Sequence, residues 1–179
     1  MRRKKYGIIG LVIVAYFILR FPFLLYPRPY HELVETYAKH YELDTAIVYA
    51  VMKVESKHNT QAISRSGAKG LMQIMDQTGA WGAQEIGIVA YENNMLFKPE
   101  VNIQIGCWYM AKLLRQYEGD LEVALAAYNA GSGHVAKWRS NPAYSQDGKN
   151  LHTIPFKETR LYVQKVKWHY TFYKWLYRS

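Results

Sequence analysis

Apolar residues along the chain recur mainly at helical spacing, and this pattern predicts a mainly α-helical single domain. No stretch alternates regularly enough between apolar and polar residues to predict a strand. Asp44 and Asp120 each precede a periodic stretch and are typical helix N-caps. The five predicted helices are Tyr30 to His40, Thr45 to about Lys57, Pro99 to the residues before Gly119, Leu121 to Asn129, and about Lys157 to Tyr177.

The last of these helices carries many aromatic residues. Trp168, Phe172 and Trp175 fall on one helical face with Leu161. An apolar stripe of this kind is typical of a face that packs in the core, so we expect these side chains to be buried. From Thr159 to the end the chain has five basic residues and no acidic one, which fits either contact with an anionic surface or a solvated face.

The first 28 residues have a composition of their own. Four basic residues at positions 2–5 precede an uncharged run of 14 residues, Tyr6 to Leu19, and the apolar character resumes after Arg20. The 21 residues from Tyr6 to Tyr26 match the roughly 20 residues that cross a bilayer as a helix. Residues 17–29 contain no Ala, Gly or Ser, which disfavours cleavage as a signal peptide.

These features predict one N-terminal transmembrane helix that acts as an uncleaved signal anchor. The positive-inside rule assigns the basic end to the cytoplasm and the rest of the chain to the extracytoplasmic side of the cell membrane. We therefore divide the chain into residues 1–28, which hold the basic end, the anchor and its flank, and residues 29–179, which form the folded domain.

Most of the positive charge belongs to this N-terminal segment. The chain has 23 Lys and Arg against 14 Asp and Glu, a net charge of +9. Six basic residues and no acidic ones precede residue 30, so residues 30–179 carry 17 basic and 14 acidic residues, or +3. Because this excess is small and no recognition motif accompanies it, the sequence argues against a nucleic-acid partner.

Cysteine and histidine give no sign of a metal or a cofactor. Cys107 is the only cysteine, and its apolar neighbours in a predicted helix are typical of a core residue. The six histidines are scattered and form neither an HExxH motif nor a Cys/His cluster. The sequence therefore predicts neither a metal site nor a cofactor.

One carboxylate lies at an unexpected position in the second predicted helix. The apolar stripe of Ile47, Val48 and Val51 continues at helical spacing to Glu55. Burial without a cationic partner would raise the pKa of this carboxyl and provide a general acid near neutral pH. The same position is also compatible with a Glu55 that marks an exposed helix end, or with one that pairs with a Lys or Arg.

Four short motifs follow one another along the chain, and each alone is compatible with an ordinary structural role. They are Glu55-Ser56, residues 70–75 (GLMQIM), residues 127–131 (AYNAG) and residues 158–166 (ETRLYVQKV). In this order they resemble the catalytic domain of the soluble lytic transglycosylases, which has a lysozyme-like fold related to goose-type lysozyme. The similarity spans roughly residues 30–170, and four motifs in the family's order are far more specific than any one of them.

The resemblance implies an enzyme that acts on peptidoglycan glycan strands, at the bond between N-acetylmuramic acid and N-acetylglucosamine, without a cofactor. It implies that Glu55 is the catalytic acid, which protonates the linking oxygen and then accepts the proton of the sugar's 6-hydroxyl as a 1,6-anhydro ring closes. Gln73 could offer both a donor and an acceptor to the sugar. The residues implied to line the substrate site are Ser64, Gln73, Met75, Tyr128, Asn129, Glu158 and Tyr162.

The sequence also leaves two alternative functions open and differs from the family pattern at two places. A muramidase that hydrolyses the same bond is the nearest alternative, and a non-catalytic peptidoglycan-binding protein is a second. The family often has Pro where Asp76 stands and Asn-Pro where Asn59-Thr60 stands. Both departures concern turn geometry and local substrate contacts, and neither touches the implied catalytic set.

Overall fold

The computed structural model describes Tyr16 and residues 20–177. All the regular elements of the described part of the chain are helices, and its only β features are the isolated bridges that join Ile63 to Lys69 and Lys69 to Ile74. The elements are α1 (His31–His40), α2 (Thr45–Ser56), α3 (Asp76–Glu85), the 3₁₀ helix η1 (Asn93–Phe97), α4 (Pro99–Gln116), α5 (Leu121–Ala130), α6 (Ser132–Arg139) and α7 (Lys157–Tyr177).

The five helices predicted from periodicity and capping are confirmed. The Asp44 carboxylate accepts the backbone N–H of Ala46 at the start of α2. The Asp120 carboxylate accepts the N–H groups of Glu122 and Val123 at the start of α5. These bonds satisfy donors that the first helical turn leaves without partners.

Two further helices, α3 and α6, have no apolar stripe that predicts them. Helix α3 contains Gly79 and Gly82, which disfavour a helix by propensity but are required by packing. A Cβ on Gly79 would lie 2.2 Å from the Tyr91 hydroxyl, and one on Gly82 would lie 2.9 Å from Ile105. Gly131, at φ 88°, ends α5, and α6 begins at the next residue.

Helix α2 is the centre of the domain. Every residue from Ala46 to Met52 is buried, because α2 packs against α7 and α1. Helix α5 contacts α7, α4 and α6, so it closes a second side of the core. Cys107 is fully buried in α4, as the sequence predicts. The C-terminal end of α2, where Glu55 lies, is therefore held on a rigid frame of packed helices.

The prediction that one aromatic face of the last helix packs in the core is wrong. Leu161 is 42% exposed, Trp168 is 59% exposed and Trp175 is 66% exposed. The buried side of α7 is instead the face that bears Tyr162, Val166 and Tyr173. A helix with apolar residues on both faces gives no periodic signal for which face is inside.

The predicted anchor lies mainly outside the described residues. Residues 20–25 are helical, and this short segment and the residues after it pack along α7, where Tyr26 is buried. Within residues 20–177, no helix is both long enough and apolar enough to span a bilayer.

Candidate active site

A cavity of about 210 Å³ opens at the C-terminal end of α2 and contains the residue types expected of a sugar site. It brings together residues from four separated parts of the chain: the end of α2, the loop before α3, the end of α5 and the start of α7. We call it the Glu55 cavity, and its lining consists of Glu55, Ser64, Ser66, Ala68, Gln73, Met75, Tyr128, Asn129 and Glu158.

Seven of the eight residues expected at the site line this cavity directly. The eighth, Tyr162, is buried behind it and interacts with the Glu55 carboxyl. The lining also includes Ser66 and Ala68, which the motifs do not single out. Met75 is 43% exposed at the rim of the cavity, and Glu158 is exposed as well.

Burial dominates the electrostatics of Glu55. Its carboxyl is largely removed from water, which raises its pKa from 4.5 to about 7. A hydrogen bond from Tyr162 acts in the opposite direction, and the negative charge of Glu158 adds to the rise. None of the ion pairs formed within residues 20–177 involves Glu55. Of the three environments compatible with the sequence, the structure therefore favours the buried, unpaired carboxyl.

Two buried tyrosines flank this carboxyl, and their hydroxyls are used differently. The Tyr128 hydroxyl donates to the carbonyl oxygen of Met72 at 2.8 Å. The Tyr162 hydroxyl interacts instead with the Glu55 carboxyl and makes no other hydrogen bond among the described residues. Burial raises the pKa of both phenols, so both stay protonated and can act only as neutral hydrogen-bond groups near neutral pH.

The loop of residues 57–75 is folded by its own hydrogen bonds. The Ser64 hydroxyl accepts the N–H of Ala68 at 3.0 Å. The Gln73 side chain donates its amide hydrogens to the carbonyl oxygens of Ala62 and Gly70, at 3.1 Å and 3.0 Å. Both amide hydrogens are therefore used within the loop, and Gln73 offers a ligand only its acceptor oxygen, in contrast to the donor and acceptor expected from sequence.

Asn102 is a site-shaping residue that sequence reasoning missed. It is fully buried in α4, where its side-chain oxygen accepts the N–H of Met72 at 2.8 Å. Its amide group donates to the carbonyl oxygens of Lys69 and Leu96, at 2.9 Å and 2.7 Å. The sequence alone does not distinguish a buried asparagine from an exposed one, unless the buried face of its helix is already known.

Asp76 occupies the position where the family often has Pro. It is the first residue of α3 and forms an ion pair with Lys69. The pair joins the loop to α3 beside the cavity. This departure from the family pattern is therefore accommodated by a contact that proline cannot make.

A second cavity of about 320 Å³ adjoins the first. It shares four residues with the Glu55 cavity, namely Gln73, Met75, Tyr128 and Asn129, and adds Thr78 and Tyr109 among others. The Tyr109 and Tyr128 rings are 5.4 Å apart. The two cavities therefore share one wall. A larger hollow of about 570 Å³ beside Glu122 and Arg160 shares no residue with the Glu55 cavity.

This arrangement of helices and residues is that of a known protein family. The family model for the transglycosylase SLT domain matches residues 32–151. The chain belongs to this family.

Known proteins resemble the chain over most of its length. The soluble lytic murein transglycosylase of Escherichia coli strain K12 is 34% identical over 84% of this chain and 24% of its own length. Membrane-bound lytic murein transglycosylase C of Serratia proteamaculans is 31% identical over 76% of this chain and 44% of its own. The chain thus spans about a quarter of the soluble relative.

A solved structure also shares the fold. Lytic transglycosylase Slt from Pseudomonas aeruginosa, crystallised as an inactive Glu-to-Gln mutant, superimposes with a TM-score of 0.74 at 31% identity. The match covers 84% of this chain and 24% of the larger protein. The lysozyme-like fold expected from the motifs is therefore that of the chain.

Proposed function

We propose that this chain is a peptidoglycan lytic transglycosylase that cleaves the β-1,4 bond from N-acetylmuramic acid to N-acetylglucosamine. The observation that carries the proposal is the Glu55 carboxyl, whose pKa is raised to about 7 in a cavity lined by the family's motifs. A group with this pKa is partly protonated at neutral pH, so it can both donate a proton and accept one.

The reaction then needs a single protein carboxyl. Glu55 gives its proton to the bridging oxygen while the bond from the anomeric carbon to that oxygen breaks, and the bonding pair leaves with the oxygen as the 4-hydroxyl of N-acetylglucosamine. The carbonyl oxygen of the muramic acid's own 2-acetamido group stabilises the electron-poor anomeric carbon. The Glu55 carboxylate finally takes the 6-hydroxyl proton, and that oxygen bonds to the anomeric carbon to close the 1,6-anhydro ring.

The neighbours of Glu55 orient the sugar in this proposal. Gln73 presents an acceptor oxygen, because its amide hydrogens are bound within the loop. Asn129 and Ser64 add polar groups to the lining of the cavity, and Met75 provides an apolar contact at its rim. Tyr128 acts as a fixed wall, since its hydroxyl is held by Met72. Oriented contacts of this kind lower the barrier by positioning the reacting groups.

The direct test is the release of muropeptides from purified sacculi by Glu55→Gln. This variant keeps the shape of the side chain but cannot donate the proton, so release should be lost. Glu92→Gln, at an exposed position, is the matched control and should retain wild-type activity. Near wild-type release by Glu55→Gln would refute the assignment of the acid.

The muramidase alternative has one supporting observation, which is that a second carboxylate, Glu158, lines the same cavity. A water activated there would give a product with a reducing end instead of an anhydro ring. Mass analysis separates the two reactions, because the anhydro product is lighter by one water. Products that consist only of reducing ends would replace the transglycosylase proposal with the hydrolase.

We also propose that the N-terminal segment anchors the enzyme in the cell membrane, with the catalytic domain on the extracytoplasmic side. The apolar span from Tyr6 to Tyr26, interrupted only by Arg20, and the four basic residues that precede it support this proposal. The name of the Serratia relative, membrane-bound, agrees with such a location. Membranes washed with alkaline carbonate should retain the full chain, and release into the wash would contradict the anchor.

A further inference from the structure

The outward face of α7 is apolar where a soluble domain would be polar. Trp168 and Trp175 are each more than half exposed, at 59% and 66%, and Phe172 lies between them. The ring centroids of Trp168 and Phe172 are 5.6 Å apart, and those of Phe172 and Trp175 are 5.4 Å apart. The three rings therefore form one continuous strip, of a kind that marks an interaction surface.

The segment that follows the uncharged N-terminal run extends this strip. Tyr26 stacks on Phe172 with ring centroids 4.4 Å apart, and Phe23 meets Tyr177 edge-on at 5.5 Å. Phe21, Leu24 and Leu25 remain exposed beside these contacts. We define the aromatic patch as Phe21, Leu24, Leu25, Trp168, Phe172 and Trp175.

The contacts also fix the direction of the N-terminal segment. Tyr26 lies against Trp168 and Phe172, whereas Phe23 lies against Tyr177, further along α7. The segment of residues 20–26 is thus antiparallel to α7, and its first residues lie toward the C-terminal end of that helix. The uncharged run of residues 6–19 directly precedes this segment in the sequence.

Distance and charge indicate which partner covers the patch. On α7, Glu158 is 10 residues from Trp168 and 17 from Trp175, or about 15 Å and about 26 Å at a rise of about 1.5 Å per residue, so the patch lies along the helix away from the Glu55 cavity. Exposed Arg20 and Lys165 flank it, and α7 has no acidic residue after Glu158. Tryptophan beside basic residues is typical of the bilayer interface, where anionic headgroups attract the cations.

We propose that the aromatic patch inserts into the interfacial region of the lipid bilayer as a second membrane contact of the catalytic domain. This inference rests on the proposed anchor, which would bring the bilayer to the C-terminal end of α7. The contact fixes the orientation of the domain and holds the Glu55 cavity about 26 Å along α7 from Trp175.

The test uses the full chain reconstituted in vesicles whose lipids carry bromine on the acyl chains, which quenches tryptophan fluorescence on contact. Wild type and Trp81→Phe should be quenched, because Trp81 packs against Trp108 of α4 and is not part of the patch. Trp168→Phe combined with Trp175→Phe should lose most of the quenching. This double variant should still cleave soluble glycan strands, which shows that it is folded.

Equal quenching of the double variant and wild type would overturn the proposal. Absence of quenching in wild type would overturn it too, since a second copy or another segment of the chain would then cover the two tryptophans. Retention in carbonate-washed membranes without quenching refutes the patch and leaves the anchor standing, whereas loss from those membranes refutes both. Release of anhydro products reports on the catalytic proposal independently of either result.

Discussion

Replacing Glu55 with Gln should stabilise the protein above neutral pH while abolishing its proposed activity. The pKa of Glu55 is about 7 in the fold, against an ordinary value of 4.5. Between these pH values the folded chain holds one more proton than the unfolded chain, so the free energy of unfolding falls as pH rises and becomes level above about 7. At about 1.4 kcal/mol per pH unit, the ionised carboxylate costs about 3 kcal/mol.

Urea unfolding of wild type and Glu55→Gln at pH 4 and pH 8 measures this cost. The two proteins should be equally stable at pH 4, where Glu55 is mostly protonated in both states. At pH 8 the variant should be more stable by about 3 kcal/mol, which corresponds to a rise in Tm of roughly 6–12 °C for a domain of this size. Glu92→Gln should change stability by less than about 0.5 kcal/mol at both pH values. Equal stability of wild type and Glu55→Gln at pH 8 would refute the desolvation argument.

Three further changes test the surroundings of this carboxyl. Tyr162→Phe removes a hydrogen bond that favours the ionised form, so the alkaline limb of kcat/KM should move up by about one pH unit. Asn102→Ala removes three hydrogen bonds to the backbone of residues 69, 72 and 96 and should cost about 3 kcal/mol in urea unfolding. Gly106→Ala would place a Cβ 2.2 Å from the Met72 sulfur and should cost about 1–3 kcal/mol in the same assay.

Each of these changes has a matched control. Glu158→Gln removes a negative charge that raises the pKa of Glu55, so it should move the alkaline limb down, opposite to Tyr162→Phe. Asn94→Ala, at an exposed position, should leave stability nearly unchanged. Gly133→Ala introduces a Cβ with no atom within 4 Å and should not destabilise α6. A shift of the alkaline limb of kcat/KM in the same direction for Tyr162→Phe and Glu158→Gln would contradict the electrostatic argument. Equal losses of stability for Asn102→Ala and Asn94→Ala, or for Gly106→Ala and Gly133→Ala, would contradict the packing arguments.

The elements that the sequence predicted well are those with their own end signals. Asp44 and Asp120 cap the helices that follow them, and Pro99 begins α4. These signals are local, so they predict the helix ends without knowledge of the tertiary contacts. Helix α3 escaped prediction because its two glycines are selected by close packing against α4 and the chain before η1, which no local rule detects. The exposed face of α7 was misassigned for a similar reason, since periodicity does not reveal which of two apolar faces has a partner.

The residues of the candidate site were likewise predicted only in part from the sequence. The family resemblance implied which eight residues come together, and the lining of the Glu55 cavity contains seven of them. The motifs did not predict Asn102, which acts only through the backbone of residues 69, 72 and 96. Nor did they predict that Gln73 uses its donors within the loop. Both facts depend on hydrogen bonds between segments that are distant or irregular in sequence.

The pKa of Glu55 lies near neutrality because burial raises it more than the one available tyrosine hydroxyl lowers it. If both buried hydroxyls donated to the carboxylate, two charge-assisted hydrogen bonds would offset most of the desolvation and return the pKa toward its ordinary value. The Tyr128 hydroxyl is instead bound to Met72, so only Tyr162 opposes the effect of burial. One carboxyl that must first give a proton and then accept another works best with a pKa near the working pH. The backbone position of Met72, which Asn102 holds in place, therefore helps to set the proton affinity of the proposed catalytic acid.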